Sequence, residues 1–320
     1  MAIMKKNMSL PPEIFTIVCE YLSLHDISSL ALTNREVNKW VDMNEIIREY
    51  HLAREVDRDD IVLVACRHNY RSLLMYLHRS GVAISDGAII CASQYGHLPI
   101  VKYLYTIGAD PTISNNDPIK MACRGGHLPV VEYLCSIGAD PTAGDNCPIR
   151  WASETGHLPI VEYLYTIGAD PTARYNYAIR WASHEGHLDV VKYLHSVGAN
   201  PTASNNAAIV WASQKGHLPV VEYLHSVGAN PTVNYNTPIK LASKNGHLDV
   251  VKYLHSVGAN STADNNDSIK LACQMGHLPI VEYLHSVGAD LTVSNNAPIK
   301  LARHMGHHHI VEYLLKHGAI

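Results

Sequence analysis

Phenylalanine is nearly missing: Phe15 stands alone beside eighteen tyrosines. Also missing is any run of about 18 apolar residues, the least that crosses a bilayer as a helix. Lys5 and Lys6 near the start are not followed by the apolar stretch of a secretory leader. Charge of neither sign dominates the 320 residues, whose formal net charge is -4, so neither nucleic acid nor a membrane is expected as a partner. The seven cysteines, Cys19, Cys66, Cys91, Cys123, Cys135, Cys147 and Cys273, are odd in number and never spaced CxxC. That excludes a disulfide or zinc framework, makes them small apolar fillers, and points to a reducing, cytoplasmic setting with nuclear entry left open. GxSxG, HExxH, GxxxxGK[ST] and GxGxxG are all absent, so neither an enzyme nor a bound cofactor is expected.

What is present is repetition. Units beginning at Gly108, Gly138, Gly168, Gly198, Gly228, Gly258 and Gly288 align without a gap at a period of 30 residues. Thr112, Asn116, Ile119, Ala122, Gly126, His127, Val131, Tyr133 and Leu134 mark columns that never change across them. The excess of tyrosine follows from this copying. Self-similarity at such a period is the signature of a solenoid.

Each unit reads as two short helices. The first, over 117–124, puts Ile119, Ala122 and Cys123 on one buried stripe and stops at Gly126. The second starts near Leu128 with Pro129 in its first turn, buries Val130, Val131 and Leu134, and ends after Ile137 with Gly138 as a left-handed cap. Burying so few aliphatics does not offset the entropy of ordering thirty residues. A lone unit therefore does not fold, and stacking on neighbours is the remedy.

With Gly-His-Leu-x-x-Val, the following Tyr-Leu and Gly-Ala-Asp in place, the array over 58–320 resembles the ankyrin repeat. The resemblance implies an all-α solenoid of about nine helix pairs. Residues 61–81 form a degenerate first pair that places Ala65, Leu73, Leu74, Tyr76 and Leu77 as the repeat requires. In the last unit the pattern turns polar at His308, His309, Lys316 and His317, as a water-facing terminal repeat would. The unit is three residues shorter than the family's, and the deficit falls where ankyrin repeats build a hairpin finger, so stubby fingers are expected. A 30-residue unit of this form is most similar to the ankyrin arrays of giant DNA viruses that infect amoebae, which implies a host cytoplasmic setting.

The recurring histidines do not read as metal ligands. Stacked helices lie about 8 to 10 Å apart, whereas two nitrogens on one zinc must come within about 4 Å of each other. The column of His127 and His157 is expected instead to tie loop backbone groups of neighbouring units through imidazole hydrogen bonds. The column of His195, His225, His255 and His285 fails the metal test in the same way. In "HMGHHH", residues 304–309, Gly306 interrupts the one i,i+4 pair.

Residues 9–50 differ in character: three short helices are expected between residues 1–8, a flexible start, and a connector over 51–57. Leu10, Pro11, Glu13, Ile14, Tyr21, Leu22, Asp26, Ile27, Leu30, Leu32 and Trp40 stand at spacings that resemble the F-box. That resemblance implies docking on the Skp-type adaptor of a cullin-RING ubiquitin ligase through Leu10, Pro11, Ile14, Ile17, Leu22, Leu24, Ile27 and Leu30. The alternative is that this segment only caps a plain ankyrin scaffold or decoy.

Fixed columns serve stacking, so a captured protein is expected to meet the positions that vary. These are Tyr95, Arg124, Glu154, His184, Glu185, Gln214, Lys215 and Lys244 just before Gly-His, and Arg174, Tyr175, Tyr177 and Tyr235 in the shortened fingers. Both sets are expected on the concave side, with Tyr175, Tyr177 and Tyr235 as anchors. Trp151, Trp181 and Trp211 share a column with Met121 and Leu241 and read as interhelical packing.

Overall fold

The computed structural model describes residues 61–320, and among these every regular element is a helix. The eight adaptor-docking positions from Leu10 to Leu30, with the whole of residues 1–60, lie outside the described residues. The chain divides into two compact units at Asp110 and Pro111.

The described part of the first unit holds two helix pairs, α1 (Ile61–Arg67) with α2 (Arg71–Arg79) and α3 (Gly87–Gln94) with α4 (Leu98–Thr106). Ala65, Leu73, Leu74 and Leu77 are buried in it, as the degenerate pair requires. His97 donates from Nε2 to the Arg67 carbonyl at 2.9 Å, tying the second pair to the first.

The second unit holds seven pairs: α5 (Ile113–Gly125) and α6 (Leu128–Ser136), α7 (Ala143–Glu154) and α8 (Leu158–Thr166), α9 (Ala173–Glu185) and α10 (Leu188–Ser196), α11 (Ala203–Lys215) and α12 (Leu218–Ser226), α13 (Val233–Asn245) and α14 (Leu248–Ser256), α15 (Ala263–Met275) and α16 (Leu278–Ser286), and α17 (Val293–His304) and α18 (His308–Lys316). The first helix of each pair packs on the first helix of the next more extensively than second helices pack on one another. Ile119, Ala122, Cys123, Val130, Val131 and Leu134 are all buried, as are their equivalents in the next five pairs. In the final pair His308, His309, Lys316 and His317 are exposed.

The first helix closes with a Schellman arrangement: His127 N–H donates to the Ala122 carbonyl at 3.0 Å, and Gly126 N–H to the Cys123 carbonyl at 3.4 Å. Gly126 lies at φ 82°, which a glycine occupies without penalty. The second helix ends in the same way at Leu134 and Ala139.

At its start the first helix does something the helical pattern did not reveal. Residues 114–116, 144–146, 174–176, 204–206, 234–236, 264–266 and 294–296 are all left-handed, so a single left-handed turn stands where a hairpin finger was expected to be short. Asparagine tolerates that region better than most residues, which accounts for the unvarying Asn at the third place of each triplet. The same side chain then bonds the next pair: Asn116 Oδ1 accepts from the Asp140 N–H at 2.8 Å, and Asn206 Oδ1 from the Asn230 N–H at 2.9 Å.

Candidate partner-binding surface

The histidine column does what the spacing argument requires. Nε2 of His187 donates to the Glu154 carbonyl at 3.1 Å, and His247, His277 and His307 donate to the carbonyls of Gln214, Lys244 and Gln274 at 3.0 Å each. A carbonyl only accepts, so the bond places the proton of each neutral ring on Nε2. It also explains why the residue 33 places upstream is free to vary, since stacking uses its backbone and leaves its side chain to other work. The second column pairs His195, His225 and His285 Nδ1 with the hydroxyls of Tyr223, Tyr253 and Tyr313, at 2.8 Å each. Among the described residues no three His, Cys, Asp or Glu side chains converge on a common point for a metal ion.

Burial lowers the pKa of His217 below the ordinary imidazole value, against the opposing pull of the His184 carbonyl and Glu185. The folded chain therefore binds this proton less readily than the unfolded one. Its contribution to stability is complete above about pH 6.5, the free imidazole value, and is lost as the pH falls below it. Thermal melts between pH 7.5 and 5.5 are expected to show a shallower pH dependence for His217→Gln than for the wild type. Identical slopes would assign the pH response to other groups.

Thiols behave as fillers. Among the described residues no disulfide joins Cys66, Cys91, Cys123, Cys135, Cys147 or Cys273. Burial pushes Cys273 up to about 12 and Cys135 to about 11, far from the thiolate state at neutral pH.

The variable positions separate into groups. Tyr175 and Tyr235 are 82% and 80% exposed, yet sit at φ 57° and 54° in the left-handed turns. Such a backbone costs a side-chain-bearing residue about 1 kcal/mol or more, and solvent returns nothing for it. Tyr235→Asn is therefore expected to raise the stability of the array by about 0.5 to 1 kcal/mol in urea titration; a loss would mean that the ring contributes to the fold.

Along α9, Tyr177, Trp181 and His184 follow one another at helical spacing. The Tyr177 and Trp181 rings stack at 5.5 Å, and Trp181 meets His184 at 5.0 Å edge-on. Trp181 also meets Trp211 of α11 at 5.6 Å, the interhelical packing expected of that column. Arg124 lies 5.7 Å from the Trp151 ring. The Tyr177 hydroxyl donates to Glu154 at 3.1 Å, and His184 Nδ1 approaches Glu185 at 2.6 Å. The left-handed turn and the pair before Gly186 are thus joined into one surface by a line of rings. Glu154, Arg174, Tyr175, Tyr177, His184 and Glu185 come together on that surface. Tyr95 belongs to the first compact unit. Gln214, Lys215, Tyr235 and Lys244 lie on later pairs, where Lys215, Tyr235 and Lys244 are exposed.

An open cleft of about 630 Å³ lies beside the turns, lined by Asp145, Arg150, Arg174, Tyr175, Tyr177 and Arg180. Arg150 and Arg180 escaped the reading of the sequence because they sit in a basic column, Lys120 to Lys300, that looks like a solvated stripe. The signal was three residues upstream. Lys120 and Lys270 pair with Asp117 and Asp267 at 3.1 and 2.7 Å, whereas Cys147 and Tyr177 occupy that place before the two arginines.

A family model described as "Ankyrin repeats (3 copies)" matches residues 61–145, 89–175, 149–235, 179–268 and 239–320. No curated protein matches the chain. No helix among the described residues is long and apolar enough to cross a membrane. The matched spans run from the first described pair to the last residue, so the chain belongs to the ankyrin-repeat family.

Proposed function

We propose that the protein is a substrate receptor: its array captures a protein, and residues 9–50 dock on the Skp-type adaptor of a cullin-RING ubiquitin ligase. Ankyrin membership makes the array a protein–protein interaction module. The observation that favours capture on the variable face is the pair of exposed tyrosines, Tyr175 and Tyr235, held in strained backbone without any packing return. Aromatic side chains supply much of the energy at protein interfaces. The adaptor half of the reading rests on the F-box-like pattern from Leu10 to Trp40, and a host cytoplasmic setting rests on the form of the 30-residue unit. The protein carries out no chemistry itself in this reading; the ligase supplies it.

Pull-down with purified Skp-type adaptor tests the adaptor half. The wild type is expected to be retained and the double variant Leu10→Ala with Pro11→Ala to be lost. Equal retention of both, or of neither, would leave a plain ankyrin scaffold whose N-terminal segment covers the array.

A further inference from the structure

The cleft beside α9 has an unbalanced charge. Arg150, only 8% exposed, donates Nη2 to the Gly144 carbonyl at 2.9 Å and lies with its guanidinium carbon 4.9 Å from the Tyr177 ring. Arg180 donates Nη2 to the Arg174 carbonyl at 3.1 Å and lies 5.4 Å from the Trp211 ring. Among the described residues the Nε–H groups of both are buried with no partner, and neither arginine has a carboxylate at ion-pair distance. Buried donors left unmade are costly and uncommon. Arg174, on the rim, bonds Asp145 at 2.8 Å, with both side chains 58% exposed.

Three guanidinium groups therefore face one carboxylate of the lining, in a chain whose net charge is -4. Glu154, outside the lining, accepts from the Tyr177 hydroxyl. In the same column Lys120, Lys240 and Lys270 are neutralised within the array by Asp117, Asp264 and Asp267, and Lys300 is exposed to solvent. The next position, Val210, is uncharged, so the positive patch is two pairs wide. Such a patch fits a short anionic segment and not the long, evenly charged backbone of a nucleic acid, which requires an extended basic track. Guanidinium groups recognise carboxylates by paired hydrogen bonds, and the exposed ring of Tyr175 gives the cleft an apolar wall.

We propose that this cleft seats an acidic peptide segment of the captured protein, with a carboxylate held between Arg174 and Arg180 and the chain lying against Tyr175. The assignment deepens the reading of the array as the capturing face and rests on it. Binding displaces Asp145 from Arg174 and replaces it with the incoming acid.

The test uses the full-length protein and a fluorescein-labelled octaglutamate peptide, read by anisotropy at low ionic strength. Octaglutamate is expected to bind about ten-fold or more tighter than octaglutamine. Arg174→Gln combined with Arg180→Gln is expected to cost about ten-fold, while Lys240→Gln combined with Lys270→Gln, an equal loss of charge elsewhere on the array, changes affinity by less than about two-fold. Arg174→Glu alone, at an exposed site, keeps the test decisive if the double variant melts early. Equal binding of the two peptides, equal losses in the two double variants, or tighter binding of a single-stranded oligonucleotide of the same charge would overturn the assignment. The broader reading is measured separately, by the protein that co-purifies with the full chain. Its persistence in Arg174→Glu alongside failed peptide binding would refute the cleft alone, and its absence from the wild type would refute capture itself.

Discussion

Gly186→Ala is expected to lower the stability of the array by about 3 kcal/mol. Two effects add at this position. Gly186 lies at φ 85°, where a side chain is strained, and an added Cβ would fall 2.5 Å from Nδ1 of the His217 ring. The ring belongs to the following helix pair and cannot move without giving up its stacking place. Gly198→Ala separates the two effects, because Gly198 is also left-handed, at φ 102°, but an added Cβ there would meet nothing within 4 Å. It is expected to cost about 1 kcal/mol. Urea unfolding of both variants measures the difference, and equal losses would show that the histidine contact carries no weight.

Leu194→Ala in α10 is expected to cost about 3 to 4 kcal/mol, since Leu194 is completely buried and its removal leaves a cavity in a stack with little freedom to collapse. In an array that gains its stability from nearest neighbours, the damage should spread. Hydrogen exchange is expected to show lost protection in α8 and α12 as well as in α10, with the pairs at 263–320 less affected. Loss confined to α10 would mean that each pair is stable by itself, contrary to the entropy argument that makes stacking obligatory.

How much of this was legible in the sequence depended on whether the repetition carried the information. Gly126 as a helix stop, Pro129 in a first turn and Val130, Val131 and Leu134 as a buried stripe all follow from one-dimensional spacing, and the structure has them so. The unvarying Asn column was visible, but its purpose was not. A left-handed turn whose third side chain reaches 24 residues onward joins two pairs that only stacking brings together. Tyr175 and Tyr235 are legible in the sequence as variable positions of the turns. Their strain became apparent only from the backbone.

The sequence by itself determined the unit, its two helices, its caps and the residues it buries, because those depend on spacing along one chain and on propensities repeated seven times. It also determined that the histidines serve stacking, since a metal needs ligands closer than neighbouring helices allow. Only the tertiary structure decided which basic residues keep their charge unpaired. Arg150 and Arg180 occupy the same column as Lys120 and Lys270, but the rings of Tyr177 and Trp211 from the following pairs face them, and neither has a carboxylate of the described residues at ion-pair distance. A local cue is present, Cys147 and Tyr177 where Lys120 and Lys270 are preceded by Asp117 and Asp267, but it does not decide the pairing: Lys240 has Thr237 at that place and is still met by Asp264 of the following pair, an outcome set by distances between successive pairs.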